Sequence, residues 1–345
     1  MKYILLIFIS IFLMSCSSDN FRTFQFQYEV KIDSTNGKKL ELWIPIPKTN
    51  EVQIISNLSY NMGGLDYQLK KEKSHDNNYL YLYSNTGTNR STTVSIIFDV
   101  IRKEHSNEAY HSVNPDNYLG AYATVPIGNS FKAIINQNNL SNKDVEGIYD
   151  FVLSGMHYGK PKNIGDKYYN NPWLSEDEFY GMKEVSRDRV VELYQISKKT
   201  NNNYTFGNGN SIYACDIGVG NCTDYHSYFM SLARTLEVPV RFHMGFPIPL
   251  DNEGIINGYH CWADYFVKGE GWFPIDISEA DKNENLKDYF FGTIDNNRVD
   301  MMVGRDFILD GYDNGSLNLF IYPILELDDQ VSSNFSKKFS YKNLK

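Results

Sequence analysis

The chain has 345 residues, 42% hydrophobic and 22% charged, the proportions of a folded globular protein rather than a disordered one. Its formal charge of -9 comes without a long lysine or arginine cluster, which excludes the basic footprint that nucleic-acid binding needs. Abundant tyrosine (26) and phenylalanine (21) favour β-rich structure and aromatic-lined grooves.

The opening MKYILLIFISIFLMSC follows Lys2 with an apolar run from Tyr3 to Met14. That run is short of the roughly 20 residues a bilayer-spanning helix needs, but it suits a secretory signal. Leu13-Met14-Ser15-Cys16 resembles the bacterial lipobox. Residues 1–15 are therefore expected to be a lipoprotein signal peptide and Cys16 the lipidated first residue, holding the protein to a membrane of the cell envelope, periplasmic or surface-exposed. Residues 16–24 then read as a tether. With Cys16 used, Cys215, Cys222 and Cys261 remain, an odd number in an oxidising compartment. A Cys215–Cys261 bridge leaving Cys222 free is one arrangement the count allows.

From 25 to 128 the pattern is strand-like. FQFQYEVKI (25–33), KLELWIPIP (39–47), YLYLYS (79–84) and TTVSIIFDVIRKE (92–104) alternate and are rich in β-branched and aromatic residues, with turn formers between them. An antiparallel β-sandwich is expected over 25–128. His75, His105 and His111 lie in polar surroundings and read as surface residues.

A second region, expected to be an α+β domain over 131–327, follows. Val145, Ile148, Val152 and Met156 have helix spacing after a Ser or Asn cap. Residues 160–185 read as a long surface excursion, 186–200 as a second helix, and 329–345 as a polar, frayed tail.

GNCTDYHSYFMSLARTLEVPVRF (220–242) carries the chemistry. Asn221 is a favoured N-cap, Asp224 puts a carboxylate in the first turn, and Pro239 lies just past the end, so the helix runs from about 222 to about 236. Tyr225, Phe229, Leu232 and Leu236 form an apolar stripe, and Cys222 falls within about 20° of Phe229 on the helical wheel. A thiol at a helix N-terminus faces unpaired N–H groups and the positive end of the dipole, which favour thiolate. The same N–H groups can hold an oxyanion. An inert buried cysteine would show the same periodicity.

Downstream, NGYHCWADYFVKGEGWFPIDISEADK (257–282) reads as two strands about a KGEG turn. It offers His260 as a general base and Asp276 as the group that orients it. His226 lies one turn below Cys222 and is expected to stay inside the packing, because helical side chains lean toward the N-terminus. A metal site from Cys215, Cys222, His226 and His260 lacks any zinc-ligand spacing, so no metal or organic cofactor is expected.

The order G-N-C-T-D-Y-H, L-A-R, V-P-V-R, Y-H-C-W-A-D-Y and G-W-F-P-I-D resembles the transglutaminase-like superfamily of papain-type cysteine enzymes. The resemblance covers about 205–285 and implies a nucleophile-bearing helix packed on an antiparallel sheet. It implies Cys222 as nucleophile, His260 as base on one strand and Asp276 as orienter on the next. Trp262 matches a frequent family aromatic. Asn221, His226 and Trp262 are expected to bind substrate or support the three. An exported, lipid-anchored bacterial branch of the family fits the N-terminus. The implied activity is on amide bonds of envelope peptides or glutamine side chains through a thioester, as hydrolase or acyl transferase. An inactive fold of the same kind, used as an envelope binding module, is the alternative.

One register problem accompanies this. A plain hairpin about Gly269-Glu270 pairs 263 with 276, leaving His260 three positions away on the other face. A bulge, for which Pro274 is the suited place, or an asymmetric turn has to restore the alignment. The second oxyanion donor is not named by the sequence; the 205–214 approach is one source.

Overall fold

The computed structural model describes residues 21–159, 178–180, 184–200 and 202–344. The expected signal peptide, Cys16 and most of the 160–185 excursion lie outside these residues. Six strands come first: β1 (Phe21–Ile32), β2 (Leu40–Ile46), β3 (Gln53–Asn61), β4 (Asp66–Lys71), β5 (Asn78–Ser84) and β6 (Thr92–Lys103). Helices α1 (Asn129–Asn138) and α2 (Val145–Gly155) follow, then short strands β7 (His157–Tyr158), β8 (Glu178–Tyr180) and β9 (Glu184–Ser186). Next come α3 (Arg187–Thr200), α4 (Ser211–Ile217), β10 (Val219–Gly220) and α5 (Cys222–Thr235). The remainder is β11 (Val240–Pro247), β12 (Glu253–Ile256), β13 (His260–Val267), β14 (Gly271–Ile275), α6 (Ile277–Lys282), α7 (Lys287–Phe290), β15 (Arg298–Val303), β16 (Ile324–Leu327), β17 (Gln330–Ser332) and β18 (Phe335–Asn343). This is the expected α+β arrangement, a β-rich N-terminal region followed by a helix that opens on Cys222 and packs on an antiparallel sheet.

Two five-stranded antiparallel sheets carry the N-terminal strands, in the orders β12-β18-β1-β6-β3 and β17-β16-β2-β5-β4. In β1, Phe24, Phe26, Tyr28, Val30 and Ile32 alternate inward, while all of β2 is buried. Strands β3 and β4 were not legible in sequence, because both are largely exposed and polar and lack apolar alternation. The expected polar tail is instead β17 and β18. Strand β18 pairs with β1 from Phe24↔Asn343 to Ile32↔Phe335, and buries Phe339 and Tyr341. Its lysines at 337 and 338 are exposed and interrupt that alternation.

The third sheet, β14-β13-β11-β15, supports the site. One hydrophobic core runs from the sandwich strands into α5, β11 and β13. Phe246 of β11 joins the two, its ring 5.3 Å from Phe26 and 4.5 Å from Phe339. His105, read as a surface residue, is buried at the end of β6, its ring beside the Tyr110 hydroxyl at 3.3 Å. His75 is half-buried against the Arg305 carbonyl at 2.8 Å, and His111 is exposed. Helix α2 starts from Asp144, not from a Ser or Asn cap, with its carboxylate accepting from Gly147 N–H. No helix among the described residues is long and apolar enough to cross a membrane.

Candidate active site

Helix α5 begins as its sequence dictates. The Asn221 side chain accepts from Thr223 N–H at 2.9 Å, and the Asp224 carboxylate accepts from Asn221 N–H at 3.0 Å, a reciprocal capping box. Asp224 also accepts from Gly207 and Gly209 N–H at 2.8 and 2.9 Å, tying the glycine-rich approach to the helix mouth. Gly209 has φ +61°, and a Cβ there would meet Ser227 Oγ at 2.6 Å and Arg305 Nη1 at 2.7 Å. Burial pushes the Asp224 carboxyl up to about 7, against the pull of its three N–H donors.

The helix is buried on every side from Cys222 to Arg234, rather than on one stripe as its periodicity suggested. It is enclosed by α1, α2, α4, α6 and the sheet. Its buried serines are hydrogen-bonded to neighbouring groups. Ser227 Oγ donates to the Thr223 carbonyl at 2.7 Å and accepts from Arg305 Nη1 at 2.8 Å, while Ser231 Oγ donates to Ser211 Oγ at 2.7 Å. A hydrogen-bonded hydroxyl reads as polar in sequence and as core in the fold.

Strands β13 and β14 pair Ala263↔Ile275 through Val267↔Gly271 without a bulge. Pro274 lies opposite Asp264 in a regular ladder, so it is not the place of any correction. The turn supplies the alignment. Gly269 and Gly271 both have positive φ, +88° and +112°, and the loop is one residue longer than the plain hairpin. That shifts Asp276 opposite position 262, on the same face as His260. Asp276 is not a strand residue but the N-cap of α6.

The two oxygens of Asp276 take four donors. Oδ2 accepts from His260 Nε2 at 2.6 Å and Arg298 Nη1 at 3.0 Å; Oδ1 accepts from Ser278 Oγ at 2.9 Å and Glu279 N–H at 3.1 Å. Burial opposes ionisation, but the His260 and Arg298 cations overcome it and hold the carboxyl well below the usual range. The other side of the His260 ring meets the Cys222 thiol. Burial lowers the imidazole, Asp276 and Cys222 raise it more, and the net is a value of about 10. Cys222 is held well below an ordinary thiol by Cys261 and His260 together, despite its burial.

His226 is where helical geometry placed it, inside the packing. Its Nδ1–H donates to the Cys222 carbonyl at 2.7 Å and its Nε2 accepts from Ile277 N–H at 3.1 Å. Those two bonds fix one neutral tautomer, and burial lowers the imidazole further. Trp262 is fully buried and stacks on His243 at 5.6 Å and 5°, with the Arg298 guanidinium 5.1 Å from its ring. Its ring also stacks toward His260, with centroids 6.4 Å apart.

The structure thus brings Cys222, His260 and Asp276 together, with Asn221, His226 and Trp262 around them. Cys215, Cys222 and Cys261 form no disulfide with one another, so the bridge the count allowed is not formed. Among the described residues, the set able to gather three ligand atoms is His260, Asp276 and Glu279, within 4.8 Å; Cys215 and His226 are not in it. Arg298 already donates to that carboxylate, a poor setting for a cation. Arg298, Cys261 and Ser278 were missed in sequence. For Arg298 a signal existed, a lone cation opening the apolar strand RVDMMV.

Residues 176–277 match the family described as the transglutaminase-like superfamily. A solved structure of a candidate cysteine protease from Cytophaga hutchinsonii shares the fold at a TM-score of 0.52 and 12% identity, over 94% of this chain and 93% of that one. An uncharacterized protein of Haemophilus influenzae is 29% identical over 196 residues, covering 46% of this chain and 53% of that one. Human cartilage acidic protein 1 is 26% identical over 141 residues, 40% of this chain and 20% of that protein. The chain therefore spans about half the length of the first relative and a fifth of the second. The family match falls on the stretch that carries Cys222, His260 and Asp276, and the fold is shared with the solved cysteine-protease-like structure.

Proposed function

We propose that this chain cleaves or transfers amide acyl groups of peptides or glutamine side chains through a Cys222 thioester. The observation that carries this reading is the His260 ring, which bonds Asp276 at 2.6 Å on one side and meets the helix-terminal Cys222 on the other. The Cys222 thiolate attacks the amide carbonyl, and its electron pair becomes the new C–S bond. The Cys222 N–H at the mouth of α5 donates to the oxyanion. Protonated His260 gives its proton to the departing amine as the C–N bond breaks, leaving a thioester and neutral imidazole. Water or a primary amine then attacks, giving its proton to His260. Acid or new amide leaves, and the thiolate–imidazolium pair is restored. Asp276, fixed by Arg298, Ser278 and the α6 N-terminus, holds the ring in place throughout.

The cell envelope is the proposed location, with Cys16 the lipid attachment, supported by the apolar run and lipobox-like residues before it. Incubating the soluble part with envelope peptides and an amine donor, read by mass spectrometry, tests the activity. Loss of ammonia with gain of amine marks transfer, and a new peptide terminus marks hydrolysis. Neither product from the wild type, or either one surviving in Cys222→Ala, overturns the reading.

A further inference from the structure

The site sheet carries a second polar cluster that the chemistry at Cys222 leaves unused. Arg241 and His243 of β11, Asp264 of β13 and Asp300 of β15 are each exposed by 5% or less. Arg241 Nε donates to Asp264 Oδ1 at 2.9 Å and Nη2 donates to Oδ2, which leaves Nη1 without a partner. The guanidinium also lies against the Tyr110 and Trp272 rings, at 4.1 and 4.4 Å, so its place is fixed. His243 Nδ1 is 2.8 Å from Asp300 Oδ2, and its Nε2 is 3.2 Å from Asp264 Oδ2. Burial lowers that imidazole and the two carboxylates raise it more, which favours the charged ring. Arg102 of β6 is fully buried, donates to Gln53 Oε1 at 3.3 Å, and forms no ion pair among the described residues. Three buried cations therefore face two carboxylates, an excess of one positive charge.

Arg241, His243 and Asp300 line a cavity of about 440 Å³, within the range of small-molecule sites. Cys222, His260 and Asp276 do not line it. Its walls are tied together by side chains. Gln53 Nε2 donates to the Lys48 and Asp300 carbonyls, both at 2.8 Å, and Gln53 Oε1 accepts from Asp300 N–H at 2.9 Å. Asn77 likewise exchanges two bonds with the Val303 backbone, at 2.8 and 2.9 Å. Val113, Tyr118, Met302 and Val303 supply apolar wall, while Thr49, Glu51 and Ser112 are exposed at the mouth. Lys48 is already paired with Asp76 at 2.6 Å, and solvent screens Glu51.

We propose that this cavity is a second ligand site, taking a small monocarboxylate with an apolar body, its carboxylate on Arg241 Nη1 and its body against the apolar wall. One excess positive charge matches a monoanion, whereas a phosphate dianion would bring a charge too many. A guanidinium locked by two rings and a carboxylate presents its open N–H groups in a fixed direction, which suits a planar carboxylate. The site goes beyond the thioester chemistry and does not depend on it.

The test is isothermal titration of N-acetyl-leucine, N-acetyl-leucinamide and inorganic phosphate into the wild type, Arg241→Gln, Ser112→Trp and Cys222→Ala. The acid should bind once per chain, and the uncharged amide about tenfold or more weaker. Phosphate should not displace the acid. Arg241→Gln removes the charge and should weaken the acid about tenfold or more. Ser112→Trp fills the mouth without touching the buried cluster, should weaken the acid as well, and serves if Arg241→Gln does not fold. Cys222→Ala should bind like the wild type. No binding of the acid by the wild type, equal binding of acid and amide, or undiminished binding in Ser112→Trp and in folded Arg241→Gln overturns the proposal. Displacement by phosphate overturns the choice of a monoanion, and binding lost in Cys222→Ala places the ligand in the catalytic cleft and overturns the second site. Each of these failures leaves the thioester reading standing, since that reading is judged on amide products.

Discussion

His260 and Asp276 touch at 2.6 Å although no ladder position pairs them: the strand pairing stops at Ala263 and Ile275, and the carboxylate reaches the ring from the first cap of α6. Asp276 thereby serves the imidazole with one oxygen and the helix with the other. Asparagine can keep the cap but not the charge, so Asp276→Asn should fold like the wild type while kcat/KM falls by about 10³–10⁴. Asp276→Ala should lose activity and, in addition, about 1 kcal/mol of stability from the cap. Turnover and urea denaturation of the pair separate the two roles. Equal stability of the two variants would refute the dual assignment.

The charged pair sets a pH window. His260 is raised to about 10, so its contribution to stability is fully present below about 6.5, the unfolded value, and is lost as pH rises through about 10. Asp276 is depressed, so its contribution is present above about 3.9 and is lost as pH falls toward its folded value. The basic limb of kcat/KM should accordingly lie near 10, with the acid limb well below an ordinary thiol's 8.5. Rate measurements from pH 4 to 10.5 check this; a basic limb near 7 would contradict the pairing.

His226 ties the Cys222 carbonyl to the backbone of α6, so its removal strands a buried acceptor and a buried donor. His226→Ala should cost about 1–3 kcal/mol for each. The wild type should also weaken as pH falls below about 6.5 through the lowered folded value of this ring. Urea titrations at pH 5 and 8 measure both effects. A His226→Ala protein with wild-type stability would show the link to be idle.

Removal of residues 335–343 should be severe. Phe339 and Tyr341 each bury a ring worth about 1.5–3 kcal/mol, and β1 would lose its whole ladder on that side. Loss of cooperative thermal unfolding is expected. Retention of the full-length melting curve by the shortened chain would show β18 to be dispensable.

How far the sequence carried depended on whether a residue's role was local. The helix mouth was legible because Asn221, Asp224 and Cys222 act within one turn, and a capping box is written in adjacent letters. His260 and Asp276 were legible as residue types, but their register was not, since one extra turn residue around Gly269 decides which face the carboxylate meets. Arg298 and Cys261 act only through tertiary contact, and β3, β4 and β18 hide apolar residues among polar ones. Long-range pairing is what a linear pattern reports least.

The pairing of Phe24 with Asn343 also has a consequence in time. Strand β1 has its neighbour far downstream in the chain, and Glu253–Ile256 docks on that later strand in turn. The sheet can close only once residue 343 has cleared the ribosome. Until then the edge of β1 on that side has no partner strand in its sheet.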